Sequence, residues 1–135
     1  MDLGLAGKVA LVTGGSRSIG REIVHRLALE GAQVVTCARD SARLGAVIAE
    51  FGRAGLLVSG QVCDVRDSRQ VEALMDTIHQ RFGGLDLLVN NASYGFRMTA
   101  ARADEDNRRC SSDPSLLLQG AARLFGLAVA SPYRG

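Results

Sequence analysis

Lysine is almost missing from this chain: Lys8 is the only one among 16 Lys and Arg residues. Charge of one sign is missing as well, since 14 Asp and Glu leave a net charge of +2. That balance is too near neutral to suggest a nucleic-acid or anionic-membrane binder, where basic residues would cluster on one face. Cysteine is scarce: Cys37, Cys63 and Cys110 are odd in number and widely spaced, with no C-x-x-C and no Cys/His pairing. Neither a disulfide framework nor a metal site is indicated, and reduced thiols in a cytoplasmic protein are expected. Long apolar runs are lacking too. The longest weakly polar stretch, residues 116–130, contains Gln119 and Arg123 and falls short of the roughly 20 residues a membrane helix requires. Asp2 and Lys8 stand among small residues at the N-terminus, without the apolar run and cleavage site of a secretory signal. What is present suffices for one domain: 135 residues, 47% hydrophobic and 22% charged, enough to form a core without a covalent staple.

The apolar pattern alternates between strand and helix. Residues 8–13 (K-V-A-L-V-T) are mostly apolar and β-branched, bounded by Gly7 and Gly14, as in a strand buried on both faces. Over residues 18–30, Ile19, Ile23, Val24, Leu27 and Ala28 recur at helical spacing, with Gly31 as the C-terminal cap. A second strand is expected at 33–37, a helix at 41–51 with Leu44, Val47, Ile48 and Phe51 on one face, and a third strand at 56–63. A third helix, 68–82, turns Val71, Leu74, Met75 and Ile78 inward behind Ser68 as N-cap, and a fourth strand spans 85–90. Such alternation specifies parallel strands joined by right-handed crossovers, an α/β fold of the doubly wound, Rossmann-like kind. The pattern is lost from Arg97. Residues 1–96 read as one doubly wound domain and 97–135 as an irregular tail with one helix over 114–130.

The turn from first strand to first helix reads Thr13-Gly14-Gly15-Ser16-Arg17-Ser18-Ile19-Gly20. Glycines there let the backbone curl tightly, bring N–H groups close to a pyrophosphate and aim the positive end of a helix at it. Any tight βα turn favours glycine, so the cluster alone decides nothing. Its place after a buried strand and at the head of an amphipathic helix supports dinucleotide binding. Gly14, Ser16, Arg17, Ser18, Ile19 and Gly20 are its candidate contacts.

At this point the chain resembles the short-chain dehydrogenases/reductases. Their fingerprint T-G-x-x-x-G-x-G is matched at Thr13, Gly14 and Gly20, with Ser18 in place of the middle glycine. A serine at the closest approach either crowds the pyrophosphate or hydrogen-bonds it. Three further matches follow in family order. After the second strand stands Cys37-Ala38-Arg39, where an acidic residue would select NAD and an arginine accommodates the 2′-phosphate of NADP. Arg39, joined by Arg17, implies NADP in preference to NAD through charge-assisted contacts to a dianion; the alternative is a solvated surface arginine. After the third strand, Cys63-Asp64-Val65 resembles the family's adenine motif, with Asp64 accepting from the exocyclic amine and Val65 against the ring face. The alternative there is a turn cap, with Asp67 nearby for the same task. After the fourth strand, Asn90-Asn91-Ala92-Ser93 resembles N-N-A-G, which implies Asn90 in sheet stability and Asn90 and Ala92 beside the cofactor. The implied strand order is 3-2-1-4, with the cofactor at the switch point between strands 1 and 4.

The resemblance also implies a catalytic Tyr with a Lys four residues later, whose ammonium lowers a phenol pKa from about 10. Here the lysine count matters. Tyr94 is followed four residues on by Met98, Tyr133 stands two residues from the last one, and Lys8 lies at the start of the first strand. No Tyr-x-x-x-Lys occurs, and no catalytic residue is assigned. His25 and His79 fall on helices as surface residues, and no residues suit a metal. The acidic and basic stretch 103–109 resembles the start of the next family helix but runs into Cys110-Ser111-Ser112-Asp113-Pro114, which suggests a frame shift or truncation near Arg108. Three functions therefore stand side by side: an NAD(P)-dependent oxidoreductase family member inactive on its own, a non-catalytic nucleotide-binding or interaction module, and a non-functional truncated product. An exposed fourth strand would favour self-association.

Overall fold

The computed structural model describes residues 4–16 and 18–91, residue 18 by its backbone alone. The expectations for Arg17, Ala92, Ser93, Cys110 and the 97–135 tail lie outside the described residues. The element order is β1 (Val9–Thr13), α1 (Ser18–Leu29), β2 (Gln33–Ala38), α2 (Ser41–Arg53), β3 (Val58–Val62), α3 (Ser68–Phe82) and β4 (Leu87–Val89). All strand pairs are parallel in the order β3-β2-β1-β4, with Leu11 opposite both Val35 and Leu88. The fold is Rossmann-like.

Because successive side chains of a strand point to opposite faces, the unbroken apolar run of β1 feeds two cores. Val9 and Leu11, with Val35 and Cys37 of β2, pack on one side against Val71, Leu74, Met75 and Ile78 of α3. Val12 and Val34 face the other way, onto Val24 and Ala28 of α1 and Val47 and Phe51 of α2. Leu74, Met75 and Ile78 are fully buried, each stabilising the packing by about 1.5–3 kcal/mol relative to exposure. Because every strand pair is parallel, the strand ends that lead into the helices lie at the same, carboxyl-terminal edge of the sheet.

Helix and strand ends differ from the sequence expectations, each for a local reason. α3 is capped by Asp67, not Ser68: the Asp67 side chain accepts from the Arg69 amide at 3.0 Å, and a carboxylate facing a helix N-terminus is favoured by the helix dipole. β3 begins at Val58 because Gly55, at φ +79°, turns the chain and the Leu56 amide donates back to the Phe51 carbonyl at 3.0 Å. β4 begins at Leu87. Asp86 closes the strand's entrance, its amide donating to the Val9 carbonyl and its carboxylate accepting from the Val9 amide, both at 2.8 Å. Ile19, expected on the inward stripe of α1, is 71% exposed at that helix's first turn. Gly31 closes α1 as expected, at φ +89°.

Candidate functional site

The site is built where β1, β2, β3 and β4 end. Gly14 adopts φ +70°, and its amide donates to the Cys37 carbonyl at 2.8 Å, tying the glycine turn to the end of β2. Gly15 lies over Thr36: a Cβ there would stand 2.0 Å from Thr36 Oγ1 and 2.7 Å from Val24 Cγ2. Gly20 lies against the turn itself, and its Cβ would stand 2.1 Å from the Gly14 carbonyl oxygen and 2.4 Å from Asn91 Nδ2. No side chain fits at either position without displacing backbone or core, so the turn into α1 depends on glycine at both. The first turn of α1 carries no acidic residue, and the positive end of a helix favours an anion. Ser16 is buried in this turn.

Thr13 and Asn91 fasten the turn to β4. The Asn91 amide donates to Thr13 Oγ1 at 3.0 Å, and Asn91 Nδ2 donates to the Gly14 carbonyl at 3.4 Å. Neither residue was picked out as a contact by sequence reasoning; Asn91 is the second of two adjacent asparagines, and only the register of β4 on β1 shows which one reaches across. The first, Asn90, keeps its Oδ1 buried with no hydrogen-bond partner among the described residues. A buried acceptor without a partner is costly, and this one lies beside the β1–β4 switch point, where a dinucleotide fits an open α/β sheet.

Arg39 is exposed immediately after β2. The acid that follows it, Asp40, is engaged as the N-cap of α2, accepting from the Arg43 amide at 3.1 Å. The end of β2 thus carries an exposed arginine followed by a carboxylate engaged with the helix.

At the end of β3, Asp64 is gripped by Arg66. Oδ1 accepts from the Arg66 amide at 3.0 Å and from Nε at 3.1 Å, and Oδ2 accepts from Nη2 at 2.9 Å. The Asp64 amide donates to Gln70 Oε1 at 2.8 Å, and Gln70 Nε2 donates to Asp67 Oδ2 at 3.1 Å. Arg66 and Gln70 carry no sequence signal of this kind, because Asp64 and Arg66 lie in the loop between β3 and α3, where no helical or strand period applies. The side chain of Val65, expected against a ring face, is only 3% exposed and packs in the α3-side core. Behind both strand ends lie the free thiols of Cys37 and Cys63. A hydrogen bond to Cys63, reinforced by burial, holds the Cys37 thiol well above the usual range, as a neutral packing group.

Of the two histidines, His79 is exposed on α3, whereas His25 is half-buried and stacks on Phe51 with ring centroids 5.1 Å apart. Among the described residues, no group of three or more His, Cys, Asp or Glu is placed to hold a metal ion, and no helix is long and apolar enough to cross a membrane.

Comparison with known proteins agrees with this geometry. The family model described as short chain dehydrogenase matches residues 8–112. A chloroplastic tropinone reductase homolog of Arabidopsis thaliana is 50% identical over 94 residues, covering 69% of this chain and 29% of that protein. Among solved structures, a short chain dehydrogenase from Mycobacterium smegmatis superposes with a TM-score of 0.78 at 34% identity, over 89% of this chain and 52% of the other. A variant of actinorhodin polyketide ketoreductase, solved with NADPH, gives 0.74 at 34% identity, over 92% of this chain and 51% of the other. The chain belongs to the short-chain dehydrogenase family. It spans about a third of the curated relative it matches and about half of each structural neighbour.

Proposed function

We propose that this chain is the cofactor-holding part of an NADP(H)-dependent oxidoreductase. The observation that carries this reading is the end of β2, where Arg39 is exposed and Asp40 is turned away as the cap of α2. Gly14, Ser16, Arg17, Ser18, Ile19 and Gly20 would hold the pyrophosphate through backbone N–H groups and the start of α1. Arg39, with Arg17, would take the 2′-phosphate, where a planar guanidinium matches phosphate oxygens. Asp64 would accept from the adenine amine, with the Val65 backbone beside it, and Asn90 and Ala92 would lie beside the cofactor. Bound NADPH supplies a hydride for carbonyl reduction.

The chain's own contribution in this reading is to bind and orient. The 135 residues contain no Tyr-x-x-x-Lys, so we assign no proton donor and no substrate pocket to them, and expect no hydride transfer from them alone. Titration of cofactor fluorescence tests the reading. Saturable NADPH binding without NADPH oxidation by added ketones is expected, and absence of binding at about 1 mM NADPH, an interaction weaker than roughly 4 kcal/mol, would overturn it. A role in pairing goes with the same reading: among the described residues β4 hydrogen-bonds to β1 alone. Sedimentation should then show concentration-dependent self-association, and a monomer at every concentration would remove that role.

A further inference from the structure

The grip of Arg66 on Asp64 has a consequence for which base the site accepts, an inference that rests on the cofactor reading above. A carboxylate at a strand end ordinarily turns about two side-chain torsions. Here the Arg66 amide and Nε fix Oδ1 at 3.0 and 3.1 Å, and Nη2 fixes Oδ2 at 2.9 Å. A planar fork on a planar carboxylate sets both position and plane. The backbone beneath is fixed as well. The Asp64 amide is held by Gln70 at 2.8 Å, the Asp64 carbonyl accepts from the Asp67 amide at 3.0 Å, and the intervening Val65 is anchored in the core.

An acceptor held in this way discriminates by hydrogen-bond polarity. A purine with an exocyclic amine offers it a donor. One with a carbonyl at that position brings lone pairs against a carboxylate that cannot swing aside, which costs the desolvation of both groups without a bond between them. We propose that Arg66 is a positioning residue that sets base selectivity: by locking the Asp64 carboxylate, it makes the site prefer an amino-purine dinucleotide over its oxo-purine counterpart.

The test compares dissociation constants for NADPH and for reduced nicotinamide hypoxanthine dinucleotide phosphate, in the wild-type chain and in Arg66→Ala, Arg66→Lys and Asp64→Asn. Wild type should favour NADPH by about tenfold or more. Arg66→Ala should weaken NADPH by about threefold to tenfold and leave the hypoxanthine cofactor nearly unchanged, so that the ratio collapses. Arg66→Lys, which keeps the charge but lacks the fork, should behave like Arg66→Ala, and Asp64→Asn should abolish the preference. A merely structural arginine would weaken both cofactors together. Equal losses, an unchanged ratio or tighter NADPH binding in Arg66→Ala would each overturn the proposal while leaving the dinucleotide reading in place. A wild-type chain that binds neither cofactor would overturn both.

Discussion

Single residues decide how closely the glycine turn can be approached. Gly20 has no room for a methyl group, because the Gly14 carbonyl and Asn91 Nδ2 occupy its place. Gly20→Ala should therefore destabilise the chain by about 1–3 kcal/mol through overpacking, seen as a lower urea midpoint, and weaken NADPH binding because α1 must back away from the turn. Thr13 acts through its hydroxyl, which accepts from the Asn91 amide at 3.0 Å. In Thr13→Val the shape is kept and the acceptor is lost, leaving a part-buried amide unpaired at a cost of about 1–3 kcal/mol. An unchanged urea midpoint in that variant would mean that water replaces the bond. The glycines were legible in the sequence because few residues tolerate such a turn. Thr13 and Asn91 were not legible as partners, since a bond across 78 positions leaves no local pattern.

Elements were legible where their apolar spacing is strong. The inward faces of α2 and α3 follow directly from the expected stripes, with Leu44, Val47 and Phe51 buried on one and Val71, Leu74, Met75 and Ile78 on the other. Ends were less legible, because Asp67 and Ser68 are both good caps in sequence and only the carboxylate's hydrogen bond to Arg69 distinguishes them. Asp67→Ala should thus cost about 1 kcal/mol, and Ser68→Ala far less; calorimetric melting of the two variants checks the order. Between α1 and α2, Arg21 pairs with Glu50 and lies over the Phe51 ring, on which His25 also stacks. The hydrogen bond from Arg21, with smaller help from the charges of Arg21, Arg53 and His25, holds the Glu50 carboxyl below its ordinary range against a modest effect of burial. A depressed folded-state value means the pair's stabilisation is full above the usual glutamate range and is lost as pH falls through the lowered value. Wild type should melt slightly above Glu50→Gln near neutral pH, by about 1–3 °C for an exposed pair, and the two curves should converge in acid. A gap that persists in acid would assign the difference to packing.

At the scale of the whole molecule, four parallel strands in the order β3-β2-β1-β4 bring three separated sequence stretches to one edge: the turn after β1, Arg39 after β2 and Asp64 after β3. Their convergence was legible in the alternation of strand and helix, which leaves few topologies once crossovers are right-handed. The side-chain partners of Asp64 were not, and neither was the burial of Val65, because whether a strand-end residue faces core or ligand depends on where α3 lies. Holding an NADP(H) cofactor is the role we propose for these converging residues. That claim is tested most directly by the ratio of NADH to NADPH dissociation constants, measured by titration calorimetry at one ionic strength for wild type and Arg39→Ala. NADP(H) recognition through Arg39 requires a ratio of about ten or more in wild type that falls toward one in the variant. A wild-type ratio of one or below, or a preference that survives Arg39→Ala intact, would contradict it.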